Sequence, residues 1–295
     1  DTYTGRAMWA AKALPNPSAA NSYTPAAASM LRLVGTMDAI AQGYGVTTHA
    51  TGLTVTSSAL LNTSSGKTTL AGWLLTTIPD GKRIFTIENG SRELALVREK
   101  DGKVTNSVIH TLTRYSENEK QNIDQDMLLD MALRFNPEII CVGEMRSSEA
   151  YTAQESARTG HTVLTTIHSN SCESTYSRMR TLCKRKYDMD DEVLMDLVTE
   201  AFPIVVFTKQ LENRKRKLME IMECEILPNG DRRYNTLFRY VITENHMEDG
   251  KFVIEGHHTQ VNEISVSLRK RLLENGMPNE ELQALLNPKK EVNAT

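Results

Sequence analysis

The segment Ser65-Gly66-Lys67-Thr68-Thr69-Leu70 carries the residue types that bind a polyphosphate. It is the second half of the pattern G-x-x-x-x-G-K-[ST]. There, backbone N–H groups at a helix start face phosphate oxygens, and the helix dipole adds positive potential. In that chemistry Lys67 reaches the β- and γ-phosphates of ATP, and the Thr68 hydroxyl ligates Mg2+. Thr63, Ser64, Ser65, Gly66 and Thr69 complete the cradle around the phosphates. The first half departs from the pattern, because position 61 is Leu and the loop reads Leu61-Asn62-Thr63-Ser64-Ser65. A Cβ where a left-handed turn is required costs about 1–2 kcal/mol per residue. Alone, the short motif fits both a phosphate site and an ordinary helix N-terminus.

Three further polar residues follow strand-like apolar runs. Glu88 ends Ile84-Phe85-Thr86-Ile87, Glu144 follows Ile139-Ile140-Cys141-Val142-Gly143, and His168 ends Thr162-Val163-Leu164-Thr165-Thr166-Ile167. The second run is apolar at every residue, as a strand buried on both faces must be. In a parallel α/β sheet the ligand lies outside the carboxyl ends of the strands. Glu88, Glu144, His168 and the phosphate loop are therefore expected on one edge.

The elements that must position these groups are also legible. Strand-like runs alternate with helical segments from about residue 52, which predicts a parallel sheet covered on both faces. Residues 53–61 read as a weak strand, with Thr56, Ser57 and Ser58 in its middle. Leu70, Trp73 and Leu74 would bury one face of the helix after the phosphate loop. Ile123, Met127, Leu128, Met131, Ala132 and Phe135 form an apolar stripe, with Met127 and Met131 read as core. Asn136-Pro137 ends that helix. Ser147 or Ser148 caps a helix running to about Thr159, with Gly160 at its C-terminal cap. After about residue 200, strand candidates at Pro203–Phe207, Leu218–Leu227, Asn235–Ile242 and Lys251–Ile254 suggest an antiparallel meander. Val261–Glu274 and Asn279–Leu286 read as closing helices. Residues 1 to about 29 are rich in Ala, Ser, Thr, Asn and Pro, and residues 30–41 have some helical spacing. The division expected is 1–52 as an N-terminal arm or domain remnant, 53–212 as the core, and 213–295 as the meander and helices.

Composition bounds the function. A chain of 295 residues suggests about two domains. With 40% hydrophobic and 24% charged residues it is not wholly disordered, collagen-like or coiled-coil. A net charge of −3 argues against broad nonspecific DNA binding. No strip of basic and aromatic residues tracks a nucleic-acid strand, so no specific nucleic acid is expected. No run approaches the ~18 apolar residues of a membrane span, and the N-terminus has no secretory signal pattern. The expectation is a soluble, intracellular protein, which leaves docking on a membrane through partners open. Cys141, Cys172, Cys183 and Cys224 lack C-x-x-C spacing and read as reduced thiols in or near the core. Arg214-Lys215-Arg216-Lys217 reads as a solvated hairpin turn, and His257-His258 lacks a partner at metal-ligand spacing.

Residues from about 57 to 290 resemble the ATPases of the type II/type IV secretion and type IV pilus superfamily, near its Tad-like (CpaF) pilus and conjugation branch. Ser65-Gly66-Lys67-Thr68-Thr69-Leu70 resembles the end of Walker A. Thr86-Ile87-Glu88-Asn89-Gly90-Ser91-Arg92-Glu93-Leu94 resembles the acidic Asp box, with Asn89 where many relatives have Asp. Arg134 through Arg146, which includes Pro137-Glu138-Ile139-Ile140-Cys141-Val142-Gly143-Glu144, resembles the atypical Walker B. Thr159-Gly160-His161 through His168-Ser169-Asn170 resembles the His box.

The resemblance implies a RecA-like P-loop NTPase core in an α/β fold, followed by the strand meander and C-terminal helices. It also implies Mg2+-dependent ATP hydrolysis and a ring hexamer. The ring would work on inner-membrane platform proteins from the cytoplasmic face. Lys67 and Thr68 would hold phosphate and Mg2+. Glu144 would sit near Mg2+, and Glu88 would orient or deprotonate the attacking water, the choice of base staying open between them. His168, and second to it His161, would contact the γ-phosphate. Arg114 stands where relatives place an arginine that reaches a phosphate, with Arg92 and Arg146 as alternatives. The altered loop leaves another reading, a non-hydrolysing or weakly nucleotide-binding assembly subunit.

Overall fold

The apolar runs become strands because each can bury both faces at once. The computed structural model describes residues 52–57 and 65–286. The N-terminal arm, the helical spacing at 30–41, Thr63, Ser64 and the rest of the loop from 58 lie outside the described residues. In order the elements are β1 (Gly52–Ser57), α1 (Lys67–Thr76), β2 (Arg83–Glu88), β3 (Glu99–Lys100), β4 (Lys103–Val104), β5 (Ser107–Leu112), α2 (Gln125–Phe135), β6 (Ile139–Val142) and α3 (Glu149–Arg158). They continue as β7 (Thr162–His168), α4 (Cys172–Cys183), α5 (Asp191–Ala201), β8 (Ile204–Gln210), β9 (Arg216–Ile226), β10 (Arg232–Glu248), β11 (Lys251–Gln260), α6 (Val266–Glu274) and α7 (Asn279–Leu286). The three strands read around Ile84, Ile139 and Thr162 are β2, β6 and β7.

One nine-stranded sheet has the order β11-β10-β9-β8-β1-β7-β6-β2-β5. The strands from β8 to β5 run parallel, and β8 to β11 pair antiparallel. The α/β expectation of a parallel sheet followed by a meander and two helices is met. One strand moves: Pro203–Phe207 was expected to open the meander, yet β8 pairs parallel with β1 and antiparallel with β9. It joins the two halves of one sheet. Its residues alternate between the two cores, Ile204 and Val206 on one face and Val205 on the other.

Those cores explain why the sheet needs helices on both sides. Residues Leu70, Leu74 and Leu75 of α1 and Leu268 and Leu272 of α6 cover one face, with Ile139 and Cys141 beneath them. Helices α2 to α5 cover the other, over Phe85, Ile87, Ile140 and Val142. All four cysteines are free and buried, as expected.

Two helices correct the sequence reading. On α2 the buried row is Gln125, Leu128, Leu129 and Ala132, whereas Met127, Met131 and Phe135 are 54%, 36% and 44% exposed. Met127 and Met131 are therefore surface residues. Asp124 caps the helix by accepting the Met127 N–H at 2.8 Å, and the sheet meets the row one position away from the methionines. Helix α6 begins at Val266 rather than Val261, because the Ser265 hydroxyl caps it through the Leu268 N–H at 2.9 Å. Helix α2 ends at Asn136 in a left-handed conformation, φ 46°, as Asn136-Pro137 predicts. Gly160, φ 114°, follows the end of α3. At the start of α3, Ser148 makes no side-chain cap. The Glu149 carboxylate instead accepts the N–H groups of Arg146 and Ser147.

Candidate functional site

Lys67 is the first residue of α1. Gly66 precedes it at φ 93°, a left-handed conformation that glycine adopts without steric cost. The Gly66 carbonyl accepts the Leu70 N–H at 2.9 Å, so the helix starts there. The Lys67 side chain is only 6% exposed, and its Nζ lies 3.4 Å from both ring nitrogens of His168. Burial lowers its pKa first and the Arg146 charge adds to this, while Glu144 and Glu93 oppose it. Ser65 is buried, and its Oγ accepts the Thr208 hydroxyl from β8 at 3.4 Å. Thr68 and Thr69 stand half-buried in the first turn of α1.

Glu144 lies two residues past β6. Its Oε1 is 3.3 Å from His168 Nε2, and its Oε2 accepts Arg146 at 2.8 Å. Three bonds hold the surrounding loop: Gln125 Nε2 to the Glu144 carbonyl at 2.9 Å, the Met145 N–H to the Thr166 carbonyl at 2.8 Å, and the Thr166 hydroxyl to the Gly143 carbonyl at 2.5 Å. Burial alone would raise the Glu144 pKa. The Arg146 hydrogen bond and charge, then His168 and Lys67, hold it below the ordinary carboxylate value. Burial, and then the Lys67 charge, lower the pKa of His168. Lys67, His168, Glu144 and Arg146 thus form one connected row, with the imidazole and the carboxylate between two cations.

Glu88 reaches the same edge but faces a different neighbour. It ends β2 and is 3% exposed. Its Oε2 accepts the N–H groups of Glu93 at 2.6 Å and Leu94 at 2.9 Å, and its Oε1 stands 3.7 Å from His110 Nδ1. Burial would raise its pKa, but His110 and the two backbone N–H groups bring it below the ordinary value. Gly143 permits this packing. A Cβ there would lie 3.2 Å from the Ile87 carbonyl oxygen and 3.5 Å from Glu88 Cγ.

The remaining residues separate. Arg114 follows β5 at the far edge of the sheet, exposed, in a backbone bridge with Ile123 at 2.9 and 2.8 Å. Arg92 is exposed, with Nε donating to the Leu94 carbonyl at 3.4 Å. His161 precedes β7 and shares a hydrogen bond with the Pro137 carbonyl at 2.8 Å. It stands at the opposite end of that strand from His168, about 23 Å away at ~3.3 Å per residue. The structure therefore does not bring His161 to the edge that holds Lys67, Glu144 and His168.

Sequence reasoning gave Arg146 only a minor place and left Gln125 and His110 unread. No local pattern marks His110 within Ser107-Val108-Ile109-His110. The basic run at 214–217 is also more than a solvated turn. Arg214 and Lys215 are exposed, but Arg216 is half-buried, with its Cδ 3.3 Å from where a Cβ on Gly66 would stand. A turn reading could not show that β9 starts beside the phosphate loop.

A family model described as "Type II/IV secretion system protein" matches residues 49–284. The type IV secretion system protein VirB11 of Bartonella quintana is 29% identical over 170 residues, covering 54% of this chain and 43% of that protein. Protein VirB11 of Rhizobium radiobacter is 27% identical over 181 residues, covering 59% and 49%. The chain thus spans less than half the length of these curated relatives. Among solved structures, the VirB11 ATPase from the Brucella suis type IV secretion system is 22% identical with a TM-score of 0.48, covering 64% of this chain and 50% of that one.

Proposed function

Because this chain belongs to the type II/IV secretion system protein family, we propose that it is an ATP-hydrolysing motor subunit of a secretion, conjugation or Tad-like pilus-assembly machine. The observation that carries this reading is the placement of the Lys67 ammonium at the start of α1, beside His168 and Glu144. A buried cation at a helix N-terminus is a site for the β- and γ-phosphates of ATP. His168 then lies where it reads the presence of the γ-phosphate and passes it to Glu144.

The donor set suits Mg2+. The Thr68 hydroxyl and the Glu144 carboxylate are hard oxygen ligands, and Mg2+ takes its other ligands from phosphate and water. Among the described residues no group of three or more His, Cys, Asp or Glu could hold a metal ion. When bound, the ion would neutralise charge on the β- and γ-phosphates. Glu144 is engaged by Arg146 and His168, whereas Glu88 keeps one carboxylate oxygen without a hydrogen bond. We therefore assign the proton of the attacking water to Glu88. Copies of the chain would form a ring, with Arg114 serving the neighbouring site, docked on inner-membrane platform proteins at the cytoplasmic face. Among the described residues no helix is long and apolar enough to cross a membrane.

The test is equilibrium ATP binding beside turnover, for the parent and for Lys67→Ala. Turnover in the parent and its loss in a folded Lys67→Ala are expected. Equal turnover in the variant sinks the motor reading. Binding without turnover in the parent favours the non-hydrolysing assembly subunit that the altered loop suggests.

A further inference from the structure

His110 lies on β5, next to the Asp-box strand and outside the motifs that identify the site. In the parallel register it stands opposite Thr86, two residues before Glu88 on the same face of β2. Its Nδ1 is 2.8 Å from the Thr86 hydroxyl and 3.7 Å from Glu88 Oε1. The side chains of His110 and Glu88 are 11% and 4% exposed. Two of their atoms, His110 Nε2 and Glu88 Oε1, are buried without a hydrogen-bond partner. A buried acceptor left unpaired carries its full desolvation penalty. Such a cost belongs where a group waits for a reactant.

The two carboxylate oxygens of Glu88 have different work. Oε2 is saturated by the Glu93 and Leu94 N–H groups, which fixes the plane of the carboxylate. Oε1 remains, and it faces one polar side chain, His110. The tautomer with its proton on Nδ1 leaves Nε2 as an unpaired acceptor, which costs less than a stranded N–H. That Nδ1–H then serves Thr86 Oγ1 and leans toward Glu88 Oε1.

We propose that His110 is a positioning residue for Glu88, keeping its free Oε1 ionised and directed as the atom that takes the proton of the attacking water. This rests on the assignment of Glu88 as the base. In the step, a water O–H bond breaks and its proton goes to Glu88 Oε1. The water oxygen bonds to the γ-phosphorus as the bond to the β–γ bridging oxygen breaks, and ADP carries that oxygen away. Two titratable groups face Glu88, His110 from β5 and Cys141 from β6. Burial first and Glu88 second push the Cys141 thiol far up, so it stays neutral throughout. Without the imidazole only the Glu93 and Leu94 N–H groups oppose burial, and the protonated form of Glu88 gains ground.

The experiment measures kcat and KM for ATP against pH in the parent, His110→Leu and His110→Asn. Asn places an amide N–H where Nδ1 stood and does not titrate. In His110→Leu the acid limb of kcat moves upward by about one pH unit with KM unchanged, and His110→Asn restores it. An unmoved limb in folded His110→Leu, or a uniform loss at every pH, overturns the proposal. A second measurement does not need turnover: the ring nitrogen resonances of His110 in the parent and in Glu88→Gln. A change on removing the carboxylate charge supports the coupling, and identical resonances overturn it. Turnover retained in Glu88→Gln removes the base assignment itself. Turnover lost in Glu88→Gln with an unmoved His110→Leu limb overturns the His110 proposal alone.

Discussion

The ammonium of Lys67 is equidistant from the two ring nitrogens of His168, at 3.4 Å from each. It is shared between them rather than committed to one lone pair. The imidazole meanwhile faces Glu144 at 3.3 Å through Nε2. One ring thus touches both the ammonium at the start of α1 and the Glu144 carboxylate.

That contact has a pH signature in stability. Burial and the Lys67 charge depress the pKa of His168 in the folded chain. As pH falls below the unfolded value of about 6.5, the unfolded chain takes up a proton that the folded chain refuses, so stability falls with pH. Glu144 and Glu88 act lower: their depressed folded pKa values keep their contribution until pH drops below about 4.3. In His168→Ala the decline of Tm just below pH ~6.5 flattens, while the acid loss due to the carboxylates remains. Calorimetry of parent and variant across pH 7 to about 4 reads this directly. An unchanged slope in the upper part of that range would show that the imidazole is not held neutral.

Gly66→Ala tests the phosphate loop from the side of sterics. The backbone at φ 93° disfavours a Cβ by about 1–2 kcal/mol, and Arg216 Cδ stands 3.3 Å from its position. The arginine end is flexible and can yield, but the backbone angle cannot. The expected result is a modest fall in Tm together with a much larger loss of ATP affinity, because the strain falls on the N–H groups that would face phosphate. Equal ATP affinity in parent and variant would separate Gly66 from nucleotide binding.

How much of this was legible depends on the range of each interaction. Glu88, Glu144 and His168 end or follow strand-like runs, so their common edge was readable from pattern alone. The Asn136 and Gly160 helix ends were readable for the same local reason. The rotation of α2 was not, since Met127 and Leu128 both fit an apolar stripe and only the sheet beneath chooses between them. The parallel pairing of β8 with β1 joins residues about 150 apart in the chain, which no window reveals. His110 and Arg216 belong to this second kind. Each matters through a neighbour brought by register or by a strand start, not through a motif of its own.

Arg114 carries the remaining prediction. Its strand, β5, is four places from β1 in the sheet order. At about 4.8 Å per place that is ~19 Å from the strand leading into the phosphate loop. The Lys67 ammonium lies against His168 at the end of β7, three places or ~14 Å from β5, so an exposed arginine at the outer edge is remote from a phosphate held by Lys67 of its own chain. It fits a phosphate held by the next copy, where an arginine supplied across an interface is worth about 10³–10⁵ in rate. Arg114→Ala and Lys67→Ala should each abolish turnover alone. Mixed together they should regain part of it, because some interfaces then pair an intact Lys67 with an intact Arg114. Recovery should rise with total protein concentration as copies associate. If the mixture stays as inactive as its components while both variants still assemble, Arg114 does not act across the interface. If Arg114→Ala alone keeps full turnover, the exposed edge of β5 has another use.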